Sequence, residues 1–126
     1  MANPVHTSLA MNALIDNVRQ WFHNKGIIAN SNPLKQLEKT QEELTETRDA
    51  VVKLTHANEL NNNQIDDLMN EIQDGIGDTV VTLIGICEMY GVTLEECLQQ
   101  AYDVISKRTG RMENGVFVKD KEATNE

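Results

Sequence analysis

At 126 residues the chain is long enough for one domain with its own core, without disulfides or a structural metal to staple it. Its 20 Asp and Glu outnumber 11 Lys and Arg, and the formal net charge of −9 argues against broad attraction to nucleic acid or to an anionic membrane. The start of the chain lacks the basic residues and apolar block of a signal peptide, and its longest apolar stretch is too short and too polar to span a bilayer, so a soluble, cytoplasmic protein is expected.

Ser8 can cap a first helix running from about 9 to 24, in which Met11, Leu14, Ile15, Val18 and Phe22 recur at the spacing of one buried face and Gly26 is the stop. "NKGIIANSN" reads as a loop. Asn32-Pro33 then opens a second helix to about 55, with Leu34, Leu37, Leu44, Val51 and Leu54 as its apolar line. The polar "THANELNNN" is a connection to a long third helix, from near Ile65 to Gly91, marked by Ile65, Leu68, Met69, Ile72, Ile76, Leu83 and Cys87.

Thr93 and Glu96 form a capping box for a fourth helix that stops by Gly110, with Leu94, Cys97, Leu98, Ala101, Val104 and Ile105 as its buried side. Cys87 and Cys97 both fall inside apolar helical patterns and read as reduced core residues, with a disulfide as the weaker alternative. Asn114-Gly115 predicts a turn followed by a short extended piece. Four helices with short to medium links predict an all-α bundle over 1–120 and a frayed tail over 121–126. The third helix is apolar on nearly all sides between Val80 and Cys87, more than a small domain covers alone, so a homodimer is expected.

Carboxylates form two stripes. Glu43 and Glu46 share a face of the second helix, in a line with Gln36, Lys39 and Ala50, while Glu71, Asp74 and Asp78 stand along one side of the third. Acidic stripes are ordinarily solvated faces, and Asp78 can simply lie on a wet one. If the two helices pack antiparallel, however, Glu43 and Glu46 face Asp74 and Asp78, and like charges that close call for a hard cation such as Mg²⁺ or Mn²⁺. Such an ion offers an acidic protein a way to hold a triphosphate and to activate water against phosphorus. A di-iron bundle is disfavoured, because none of His6, His23 and His56 has a Glu three positions before it.

"EELTE" at 42–46, followed by "EIQDGIGDTVVTLIGICEMYGVTLEECLQQAYD" at 71–103, resembles the MazG-like all-α nucleoside triphosphate pyrophosphohydrolases, especially their short phage-encoded members. "QWFHNKGI", "NPLKQLEKTQEEL" and "KRTGRMENGVFVKD" extend the likeness over most of the chain. The resemblance implies a MazG-like four-helix bundle completed by dimerisation, and an Mg²⁺-dependent hydrolysis of a nucleoside triphosphate, often a deoxynucleotide, to monophosphate and pyrophosphate. It places Glu43, Glu46 and Asp78 as metal ligands. The family has Glu three positions before Asp78, where this chain has Gly75, so Asp74 substitutes from i−4 or Glu71 reaches in from farther away.

On the same reading Glu42 or Glu71 orders the attacking water as a base. Substrate contacts are sought at Trp21, which stacks on a base or else belongs to the core, at Lys39, and at the basic cluster Lys107, Arg108 and Arg111, which suits a triphosphate or departing pyrophosphate. Tyr102 reads as packing. The expected partners are a nucleoside triphosphate and a second copy of the chain, with a dimer of dimers as a further possibility. The rival reading is a non-catalytic helical interaction protein, to which the Gly75 departure points. A single-strand nucleic-acid binder is disfavoured by the acidic charge and the 4% aromatic content.

Overall fold

The computed structural model describes residues 7–56 and 58–121; the capping role expected of Ser8 and residues 122–126 of the tail lie outside what can be described. The described residues are mostly helical, with five helices and one two-stranded sheet. They fall into two compact units, Met1–Thr93 and Leu94–Glu126.

The first unit holds α1 (Thr7–Asn24), α2 (Ile27–Asn30), α3 (Pro33–His56) and α4 (Asn62–Tyr90). The four-residue α2 is an addition to the expected loop, entered through Gly26 at φ 75°, a left-handed turn that suits glycine. Asn32 Oδ1 accepts a hydrogen bond from the Lys35 amide at 2.9 Å, so Asn32 caps α3 and Pro33 takes the first helical position, where a missing N–H costs nothing. The long α4 starts three residues earlier than expected. Asn61 and Gln64 form a reciprocal capping box there, with Asn61 accepting from the Gln64 amide and the Gln64 side chain accepting from the Asn61 amide. At the other end Gly91 adopts φ 69° and the Val92 amide returns to Cys87 O, which stops the helix.

α3 and α4 pack antiparallel, with Thr40 hydrogen-bonded to Thr82 and Glu43 to Asp78, and Thr47 against Gly75. The faces in contact are lined by small and polar residues: Thr40, Glu43 and Ala50 are buried on α3, and Gly75, Thr82 and Gly85 on α4. This corrects the expected core of α3. Leu34, Leu37, Leu44 and Val51 are exposed, and only Leu54 of that line is half-buried. On α4 Leu68 and Cys87 are buried as expected, but Met69, Ile76 and Leu83 are exposed. The reason is steric, since close helix approach favours small side chains at the seam and displaces the large ones to either side of it.

α1 lies on α4 through Phe22, whose ring is 2% exposed and sits where a Cβ on residue 85 would be 2.5 Å from Cε1. Gly85 is therefore the socket for this ring. Ile15 and Val18 are half-buried, while Met11 and Leu14 at the other end of the expected apolar face are exposed. An ionic clamp adds to the apolar contact: Glu88 accepts from Arg19 Nε at 2.8 Å and pairs with His23 Nε2 at 2.7 Å. The hydrogen bond from His23, followed by that from Arg19, holds the Glu88 carboxyl below its ordinary range. A lowered folded value contributes stability that is present above the unfolded value and lost as pH falls through the folded one. Glu88→Gln is thus expected to lower stability by about 1 kcal/mol at neutral pH, and by progressively less on acidification, in thermal melts across a pH series.

The second unit consists of α5 (Leu94–Ile105) and a hairpin, β1 (Gly110–Glu113) and β2 (Val116–Lys119). α5 starts directly after Thr93, as the sequence predicts, but none of its residues is buried. Leu98, Val104, Ile105 and Cys97 are exposed, which corrects their expected core placement, and Tyr102 is exposed too. Neither Cys87 nor Cys97 is part of a disulfide. β1 is a strand beyond the expected extended piece. It pairs with β2 in the register Gly110 to Lys119 and Glu113 to Val116, across Asn114 at φ 51° and Gly115 at φ 81°. Two successive positive φ values give the turn whose twist matches a hairpin, which is what Asn-Gly supplies. Among the described residues no single helix is long and apolar enough to cross a membrane.

Candidate functional site

The antiparallel register of α3 and α4 sets Glu43 opposite Asp78 near the middle of both helices. Glu43 is 8% exposed, whereas Glu46, one turn farther along α3, and Asp78 are exposed. Burial, then the charges of Glu46 and Asp78, raise the Glu43 carboxyl above its ordinary value; Lys39 opposes this, and the hydrogen bond with Asp78 adds to it. Carboxylates this close repel one another when both are charged, and a cation between them relieves that repulsion. The Glu43–Asp78 pair is therefore a place in the first unit that favours a positive charge.

A cavity of about 420 Å³ opens beside the pair. Trp21 and Phe22 from α1, Ile27 from α2, Lys35, Gln36 and Lys39 from α3, and Val81 and Thr82 from α4 line it together with Glu43 and Asp78. Trp21 is 44% exposed and meets Phe22 edge to face at 5.1 Å, so the two aromatic residues divide the work: Phe22 is core, and Trp21 offers a ring to the cavity. Lys39 reaches Glu42 at 3.4 Å, and that contact, more than the nearby Glu43 and Glu46, raises its ammonium above the ordinary value. Thr40 and Thr82 form a buried hydroxyl pair at 2.7 Å behind the carboxylates and tie the helices where the cavity begins.

The structure thus brings together Trp21, Lys39, Glu43 and Asp78 of the residues picked out in the sequence, with Glu42 on Lys39 and Glu46 beside Glu43. Glu71 and Asp74 stay exposed on α4, with no hydrogen bond or ion pair to a described residue. Among the described residues, no three His, Cys, Asp or Glu side chains converge as a ready-made metal group. Position 75 explains the gap in the acidic pattern. A Cβ there would run into Thr47 Oγ1 and lie 3.0 Å from Thr47 Cβ, so Gly75 serves the helix contact. Thr47 in turn donates to Glu43 O at 2.7 Å, which keeps its hydroxyl in that seam.

Lys107, Arg108 and Arg111 belong to the second unit, where Arg111 is held by Glu113 at 2.6 Å. Lys35, Ile27 and the Thr40–Thr82 pair are cavity residues that the sequence does not single out, whereas Gln36 lies in the carboxylate stripe. Thr40, Glu43, Thr47 and Ala50 do recur at three-and-four spacing, a line of small and polar residues that signals a close helix seam. Comparison of the chain with protein-family models, with curated proteins and with solved structures finds no match.

Proposed function

We propose that the Glu43–Asp78 cavity is the active site of a divalent-metal-dependent nucleoside triphosphate pyrophosphohydrolase of MazG-like type. The observation that carries this reading is the buried Glu43 set against Asp78 and Glu46 at the wall of a cavity that also holds an exposed Trp21 and Lys39. The donors are all carboxylate oxygens, the set suited to Mg²⁺ or Mn²⁺, and Glu43 and Asp78 would hold the ion with Glu46. When bound, the cation would relieve the repulsion among these groups and lower the pKa of a coordinated water. Asp74, four residues before Asp78 and exposed, is the available fourth carboxylate in place of Gly75.

Trp21 would stack on the base, and Lys39 would exchange Glu42 for a phosphate oxygen. Glu42 or Glu71 would then orient the water. Attack of that water on the α-phosphorus breaks the bond to the bridging oxygen, which leaves with pyrophosphate and yields the monophosphate. The exposed lines Leu37, Leu44, Val51 and Met69, Ile76, Leu83 support a homodimer, since each repeats every seven residues beside the α3–α4 seam. Light scattering is expected to give twice the chain mass, and Leu44→Glu with Ile76→Glu to reduce it to one.

The reading is tested by following monophosphate and pyrophosphate release from ribo- and deoxynucleoside triphosphates in Mg²⁺, in Mn²⁺ and in EDTA. Monophosphate and pyrophosphate in equal amounts, lost in EDTA, support it; release of orthophosphate and nucleoside diphosphate, or no turnover by folded protein, overturns it. The Thr47–Gly75 contact, which occupies the place of a family carboxylate, favours the second reading, a non-catalytic helical interaction protein.

A further inference from the structure

A cavity lined mainly by cations lies in the second unit. Val104 of α5 with Lys107, Arg108 and Thr109 just beyond it, and Lys119 of β2 with Asp120 and Lys121 just beyond it, surround about 320 Å³. Four of the eleven Lys and Arg of a strongly acidic chain therefore meet at one place.

The local structure leaves most of their charge uncancelled. Lys107, Arg108, Lys119 and Lys121 make no ion pair with a described residue. Asp120, the one acid in the wall, accepts from Thr109 Oγ1 at 2.8 Å, while its amide donates to Thr109 O at 2.8 Å. This two-bond closure continues the hairpin register and fixes the spacing between the two arms of cations. The carbonyls of Val104 and Ile105, at the negative end of α5, are already taken by the amides of Lys107 and Arg108. Arg111, by contrast, is neutralised by Glu113 and stands outside the cavity.

We infer that this cavity binds an oligophosphate anion, either free pyrophosphate or the phosphate tail of a nucleotide, without a divalent metal. Four cations carried by two elements match several negative charges on one small ligand, and Arg108 adds a planar fork for phosphate oxygens. No aromatic ring lines the cavity, so recognition rests on phosphate and not on a stacked base. The site does not depend on turnover at the Glu43–Asp78 cavity.

Calorimetric titration of the full chain with inorganic pyrophosphate, in EDTA at low ionic strength, tests the inference. Saturable binding is expected, weakened at least tenfold by Arg108→Gln with Lys119→Gln and separately by Lys107→Gln with Lys121→Gln. It should weaken with added salt, as exposed charges require, and be unchanged by Glu43→Gln. Circular dichroism checks that each variant keeps its fold, and Lys107→Arg with Lys119→Arg, which preserves charge, should retain binding. A non-hydrolysable nucleoside triphosphate separates the two sources: equal or tighter binding than pyrophosphate assigns a nucleotide tail, weaker binding assigns the free anion. Absence of binding in EDTA, equal binding by both Gln pairs and the parent, loss in Glu43→Gln, or tighter binding of a single-stranded oligonucleotide through the same lysines would each overturn it. Because the titration contains neither metal nor turnover, its failure leaves the pyrophosphohydrolase reading standing, and the converse holds.

Discussion

Glu43→Gln is expected to raise the stability of the metal-free protein while reducing metal-dependent turnover by about 10²-fold or more. Glu43 is buried against Asp78 with Glu46 close by, and its carboxyl is raised first by burial and then by those charges. A raised folded value means that this group contributes stability that is fully present below its unfolded value and is lost as pH rises through the folded value. Gln keeps the shape and removes the charge, so the melting temperature at neutral pH should rise by a few degrees, as about 1 kcal/mol gives in a chain of this length. The difference from the parent should shrink on acidification.

Mg²⁺ is expected to reverse the order. If the proposed site holds the ion, Mg²⁺ should stabilise the parent by mass action, more at pH 8 than at pH 5 because protons compete for the same oxygens, and should have no such effect on Glu43→Gln. Thermal melts with Mg²⁺ and with EDTA at the two pH values measure all four quantities. A parent that Mg²⁺ does not stabilise, or a variant that turns over at the parent rate, would remove Glu43 from the site.

The second large effect is expected at Gly75. Gly75→Glu restores the carboxylate spacing of the MazG-like pattern, yet it should destabilise the chain by about 3 kcal/mol or more, because its Cβ meets Thr47 and its charge enters a packed seam one turn from Glu43. Gly75→Ala isolates the steric part. In a free helix this change would stabilise by up to about 1 kcal/mol, the gain expected of Gly77→Ala, which has open space around it. At Gly75 the sign should reverse, to a loss of about 1–3 kcal/mol. Adding Thr47→Ala should recover part of that loss, so the four proteins of the cycle couple by about 1 kcal/mol in denaturant unfolding. Gly75→Ala as stable as Gly77→Ala would mean that the helices do not meet at this point. Improved metal affinity in a folded Gly75→Glu would show that the seam can open to admit a fourth carboxylate.

What the sequence determined by itself was local in origin. Pro33 after Asn32, Gly91 after an apolar run and Asn114-Gly115 act through backbone conformation within a few residues, so helix ends and the turn follow from them directly. The pairing of Glu43 with Asp78 was also legible, on the condition that α3 and α4 run antiparallel. The tertiary structure alone decided which stripe of α3 faces α4. Leu37, Leu44 and Val51 are the more hydrophobic line, but Thr40, Glu43, Thr47 and Ala50 allow α3 to approach Gly75 and Thr82 closely, and shape complementarity over many contacts outweighs the burial of a few leucines. That choice is what buries Glu43. It also spends position 75 on packing, a conflict that periodicity cannot reveal because it records which residues share a face and not how near the neighbouring helix comes.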